Sequence, residues 1–342
     1  MILKTINGIT YKLPEKLNDF QLEMYVHLIN WKWKNITDVP GTNKYNGELI
    51  EYDAILPESV IDSYPIIYPK ALSNFLDHHN KYPFRIHKFF NHMASSQAAN
   101  ANLFIPILTH PKAEEILRNI KPDFNSLAKD ELDNGFRIEF WDESFGALND
   151  KTSMSGTDSD IAIAYYNKEN QLCLWLIEHK LTEAEFTECG GYTSKGRTDK
   201  IKFDCTKSFS ELIANKNFCY YHEKCGYKYW ELTVKHASFF PNHQTYSSCP
   251  FKGGLNQLWR NQLLALGIED DPNQHFKQVF FSVVRHPANH ELDKSIAAYK
   301  KLINNNPKFS AHTSLEFVDE AVKLNDPLLD RWIDWYKELY KL

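Results

Sequence analysis

SGTDSDIAIAYYNKENQLCLWLIEHKLTE, residues 155–183, holds two short apolar runs separated by a polar one. DIAIAYY (160–166) and LCLWLIE (172–178) are rich in β-branched and aromatic residues and read as strands. Asn167 to Gln171 has the polarity and length of a hairpin turn between them. In such a hairpin Asp160, at the start of the first strand, lies beside Glu178, near the end of the second. They become neighbours at one sheet rim although 17 residues separate them. Glu178 and Lys180 are two residues apart, so on an extended chain they share a face.

Two carboxylates and a lysine at one rim have a chemical use. Charges that end a run as apolar as LCLWLI are costly to desolvate unless they are paired or bind a metal. Mg²⁺, or Mn²⁺, takes oxygen ligands and keeps several waters, and Asp160, Glu178 and the backbone carbonyl of His179 could supply protein oxygens. Such an ion polarises a phosphodiester oxygen and activates water, while Lys180 can neutralise charge growing on the phosphoryl group. The competing reading is a structural ion-pair set. Asp158, two residues earlier on the same face, rivals Asp160, and Glu139 on a preceding strand is an additional candidate ligand.

Working outward, FRIEFW (136–141) and QVFFSVV (278–284) read as further strands. LNDFQLEMYVHLINWKWKN (17–35) carries Phe20, Met24, Leu28 and Trp31 at helical spacing. A second helical stretch is expected from Ile86 to Leu103, with Ser95, Ser96 and Gln97 inside it. GLNQLWRNQLLALG (254–267) predicts a helix stopped by Gly267, followed by helices over 291–303 and the C-terminal PLLDRWIDWYKELYKL. The pattern predicts one α/β domain over 86–342, a mixed central β-sheet flanked by helices. A helical N-terminal extension covers 1–85, and a Cys-containing insertion lies around 189–249.

Composition sets the outer bounds. The 342 residues, 43% hydrophobic, can bury a substantial core. No apolar run approaches the roughly 20 residues of a membrane span, and the N-terminus lacks signal-peptide features. A cytoplasmic location is expected, where six cysteines would not form structural disulfides. The net charge of -5 gives a nucleic-acid partner no support and by itself counts mildly against one, but it is a weak guide, because phosphate binding needs only a local basic surface. The stretch around Lys195, Arg197, Lys200, Lys202 and Lys207 is the most basic near the candidate site.

The arrangement Asp160…Glu178-His179-Lys180 is similar to the signature of the PD-(D/E)XK nuclease superfamily. SSQAANANLF (95–104), GTDSDIAI (156–163), WLIEHKLTEAEF (175–186), CGGY (189–192), CYYHEKCGYKYWEL (219–232) and GGLNQLWRNQLLA (253–265) resemble a bacterial family of restriction-endonuclease-like proteins. The resemblance implies a Mg²⁺-dependent phosphodiesterase core of four mixed strands. Asp160, Glu178 and Lys180 would be its catalytic residues. It departs at one point: Ser159 stands where the superfamily's name puts proline. The function expected is an endonuclease acting on DNA, in defence against foreign DNA. Each core would cut one strand, so a homodimer would serve a double-strand cut. The alternative is a nucleic-acid-binding protein that keeps the fold without activity. Gln97, Gln257 and Arg260 join Lys195 and Arg197 as candidate nucleic-acid contacts. Cys189, Cys205, Cys219, Cys225 and Cys249 follow the E-x-K and are candidates for an iron–sulfur cluster or Zn²⁺, although no tight C-x₂-C spacing is present.

Overall fold

The computed structural model describes residues 1–45, 47–141, 146–150, 156–193 and 206–342. The chain opens on an antiparallel hairpin of β1 (Ile2–Ile6) and β2 (Ile9–Leu13). Asn7 and Gly8 turn it with φ of 51° and 82°, the paired positive values of a tight hairpin turn. Helix α1 (Asp19–Asn35) comes next, started by a capping box between Asn18 and Gln21. A second hairpin, β3 (Gly41–Tyr45) and β4 (Glu48–Tyr52), packs beside it. The N-terminal part thus holds the expected long helix together with two hairpins that helical spacing did not foretell. Buried Lys32 ties α1 to the ends of this second hairpin, donating to the carbonyls of Val39 and Asp53, both at 2.8 Å.

After α2 (Leu72–Lys81), the helix expected from residue 86 starts later, as α3 (Ser96–Leu108). Ser95 is its N-cap, accepting from the Ala98 N–H, so this serine begins the helix instead of lying inside it. Helix α4 (Ala113–Ile120) leads into the main sheet, built from β5 (Phe124–Leu127), β6 (Phe136–Phe140), β7 (Ser159–Asn167), β8 (Leu172–Lys180), β9 (Gln278–Arg285) and β10 (Phe309–Thr313). The order is β10-β9-β8-β7-β5, and β6 also pairs with β7. β7 and β8 form the expected antiparallel hairpin, whereas β8–β9 and β9–β10 are parallel. The sheet has six strands instead of the four that the resemblance implies.

Both faces of this sheet are covered, which explains why β7 and β8 read as nearly continuous apolar runs. Ile161, Ile163, Trp175 and Ile177 pack on one side against α3, α4, α7 (Ser314–Lys323) and α8 (Pro327–Tyr340). Ala162, Ala164, Leu174 and Leu176 pack on the other against α5 (Leu255–Asp270), α6 (Asp293–Leu302) and aromatic residues of the cysteine-containing segment, including Phe209, Trp230 and Phe251. Phe251 and Trp259 stack there with centroids 4.1 Å apart. Gly267 does not stop α5, which continues to Asp270. A Cβ at Gly267 would lie 2.8 Å from Ala147 Cβ, so the glycine permits close packing. Among the described residues no helix is long and apolar enough to cross a membrane.

Candidate active site

The strand register decides the arrangement. Ile161 faces Ile177, so Asp160 stands opposite Glu178 one step further along the β7–β8 pair. On the other side of β7, Phe140 faces Ser159 and Ile138 faces Ile161, which puts Glu139 beside Asp160. Glu139, Asp160 and Glu178 therefore form one row across three adjacent strands, with Lys180 next to it. Glu139 has φ of 51°, rare for a residue with a side chain and typical of strain held at functional positions.

Neighbouring elements fix each member of the row. The His179 N–H donates to Asp160 Oδ2 at 2.5 Å, and Asn100 on α3 donates to the Asp160 carbonyl at 2.8 Å. Glu178 Oε1 receives Lys180 Nζ at 2.8 Å and Gln257 Nε2 at 2.6 Å, and its Oε2 receives Asn261 Nδ2 at 2.8 Å. Gln97, one turn before Asn100 on α3, donates to Glu139 and to the Arg85 carbonyl, and accepts from the His87 N–H. Two helices from opposite faces of the sheet thus hold the row with side-chain amides.

This packing crowds like charges. Burial, then the charge of Glu178, raises Asp160 well above the carboxylate range, although Lys180 and the His179 N–H oppose the shift. Burial, then Asp160 and Asp158, does the same to Glu139, with the Gln97 hydrogen bond working against it. Asp158 reaches solvent at the mouth, yet loss of hydration and the Glu178 charge push it up to about 6. For Lys180 burial disfavours the ammonium, but Glu178, Glu183 and Asp160 outweigh it and keep the group protonated. Such a lysine is an electrostatic group at neutral pH, not a base.

The row forms the floor of an open cleft of about 740 Å³. The residues present suit a small hard cation. Crowded carboxylates whose ionisation is suppressed by one another would ionise beside positive charge. Among the described residues no group of three or more His, Cys, Asp or Glu side chains is placed to hold a metal ion. Mg²⁺ needs none, since one or two carboxylates and waters suffice.

Other sequence candidates fall into place around this centre. His179 points away from the row and is 1% exposed, and burial pushes its imidazole down to about 3. Gln257 and Asn261, polar positions on α5, are not a solvated face but the partners of Glu178. Arg260 is drawn inward beside Tyr229, Asp150 and Tyr221, and these neighbours raise its guanidinium further against burial. Gln97 is largely buried and lines the cleft beside Glu139. Lys207 pairs with Glu211 at 3.0 Å, while Lys195, Arg197, Lys200 and Lys202 lie outside the described residues. Cys189, Cys219 and Cys249 line one small apolar cavity with Trp230 and Phe251. Cys205 lies outside the described residues, and the described cysteines supply no metal-binding group of three. Cys173 is buried in β8.

Sequence reasoning missed one wall of the cleft. Tyr25 on α1, Asn43 on β3, Tyr52 on β4 and Phe89 line the same cavity as the row. Gln21 of the α1 capping box anchors this wall, donating to the Thr182 carbonyl at 2.9 Å, two residues beyond Lys180.

A family model described as "Restriction Endonuclease associating with ARP" matches residues 65–341, which include the whole carboxylate row. No curated protein and no solved structure matches the chain significantly. Because the match spans most of the sequence, the chain belongs to this restriction-endonuclease family.

Proposed function

We propose that the protein is a Mg²⁺- or Mn²⁺-dependent endonuclease that hydrolyses phosphodiester bonds of DNA, in defence against foreign DNA. The observation that carries this reading is the row of Glu139, Asp160 and Glu178 with protonated Lys180 on the cleft floor. Asp160, Glu178 and the His179 carbonyl would hold the ion, with Glu139 as a further carboxylate. When bound, the ion supplies Lewis-acid polarisation of a phosphoryl oxygen and lowers the pKa of water. Lys180 orients the attacking water and offsets charge growing on the phosphoryl oxygens. The His179 N–H fixes Asp160, and Gln257 and Asn261 fix Glu178, so both carboxylates are preorganised before substrate arrives.

Crowded buried carboxylates destabilise a fold, so a protein that only bound nucleic acid would gain by losing one of them. Their presence together favours activity over the inactive alternative. The test is incubation with plasmid, linear duplex, single-stranded DNA and RNA in Mg²⁺, Mn²⁺ or EDTA, repeated with Asp160→Ala and Lys180→Ala. Metal-dependent cleavage of at least one DNA form, abolished by either substitution, is expected. Cleavage that survives both would remove these residues from the active site.

A further inference from the structure

The floor and this wall of the cleft differ in chemistry and in origin. The floor is acidic and lies in the region matched by the family. Much of the wall comes from the first 64 residues, outside that match, and it is held firmly. Gln21 reaches the Thr182 carbonyl, His27 pairs with the Glu338 carbonyl at 2.8 Å, and Lys34 with the Glu338 carboxylate at 2.7 Å.

Beside the carboxylates the cleft lining presents rings and amides: Tyr25, Tyr52, Asn43, Phe89 and His87. Among the described lining residues Lys180 is the only lysine or arginine, and Glu178 already pairs with it. The nearby Lys88 ammonium lies over the Phe89 ring, 4.6 Å from its centre. Duplex binding draws most of its affinity from Lys and Arg on phosphates, and among the described residues this lining has one, Lys180. Aromatic faces supply affinity differently, by stacking on bases that have left their own stack.

We propose that this wall is a stacking platform for unpaired nucleobases, so that the cleft takes its substrate as single-stranded nucleic acid. The inference rests on the nuclease reading and narrows its substrate. Tyr25 packs edge-on against His92 and Phe89 edge-on against His87, so Tyr52 is the first ring to test and Phe89 the second.

The experiment measures fluorescence anisotropy of the full chain in EDTA with a labelled oligothymidylate and with a blunt duplex of equal length. It is repeated for Tyr52→Ala, Tyr52→Phe, Phe89→Ala and Phe89→Leu. Single-strand affinity should exceed duplex affinity and fall about 5- to 150-fold in each variant that loses a ring. Tyr52→Phe should stay within about twofold, because it keeps the stacking face. Phe89→Leu keeps apolar bulk, so its loss of affinity would report the ring even if Phe89→Ala failed to fold. Duplex affinity equal to or above single-strand affinity, or single-strand affinity indifferent to the rings in folded variants, overturns the proposal. Metal-dependent cleavage of duplex, unchanged by the ring variants, would overturn it and leave the nuclease reading standing. Ring-dependent single-strand binding without cleavage in any metal would support the platform and refute the nuclease.

Discussion

Replacing Glu139 by Gln should make the metal-free protein more stable, and increasingly so as pH rises. The substitution keeps the side chain's shape, its strained backbone and an acceptor for Gln97. It removes one acid from the row it shares with Asp160 and Glu178. Glu139 is raised in the folded protein above its ordinary value of 4.5, first by burial and then by Asp160 and Asp158. The sign comes from linkage. A raised carboxyl contributes stability that is fully present below the unfolded pKa and is lost as pH rises through the folded one. Within that window the unfolded chain has released a proton that the folded chain retains. Each pH unit costs the wild type about 1.4 kcal/mol, a cost that glutamine does not incur. For a chain of this size 1 kcal/mol moves Tm by roughly 2 °C, so the variant should gain about 3 °C on the wild type per pH unit. Thermal melts by circular dichroism in EDTA, from pH 4.5 upward, would show two curves that meet at the acid end and separate above it. Parallel profiles, or a variant that melts lower at every pH, would refute the claim that Glu139 is crowded by its neighbours.

Three further outcomes are expected. Gln257→Ala and Asn261→Ala should each lower cleavage about 10- to 100-fold, mainly through kcat, because both position Glu178. Steady-state kinetics on whichever DNA form is cleaved reads this. Asn102→Ala should destabilise the fold by about 2–4 kcal/mol in urea titrations, since Asn102 is buried and serves the Tyr68 N–H, the Ile66 carbonyl and the Tyr340 hydroxyl together. Gly267→Ala should cost about 1–3 kcal/mol in the same assay, by pressing a methyl group on Ala147.

The legible parts of this chain are those where a pattern reports burial. The runs 160–166 and 172–178 are apolar because both sheet faces are covered, and the strand endings then bring Asp160, Glu178 and Lys180 together. The hairpins of the N-terminal part carry little such signal. In β1 the residues between Ile2 and Ile6 are exposed, so no alternation marks the strand. The available cue was local, the dipeptides Asn7-Gly8 and Asn46-Gly47, each followed by a short β-prone run. The helical spacing of 17–35 masked it.

Polar partners were less legible for a different reason. Gln257 and Asn261 look like the wet side of an amphipathic helix, because periodicity separates apolar from polar residues but cannot say what a polar residue meets. Their partner lies 79 and 83 positions earlier in the chain. Gln97 likewise read as a candidate nucleic-acid contact in a helix until β6 brought Glu139 to it. A buried amide facing a carboxylate row costs desolvation that only its hydrogen bonds offset, so such residues are placed by tertiary structure and leave no local trace. The same logic applies to the cleft wall. Tyr52 and Phe89 were unremarkable aromatics in sequence, and their meaning comes from sharing a cleft with acids, of which Asp160 and Glu178 lie more than 65 positions later in the chain. The signature of Asp160, Glu178 and Lys180 therefore marks the proposed chemistry, while the proposed choice of substrate falls to residues that the signature does not include.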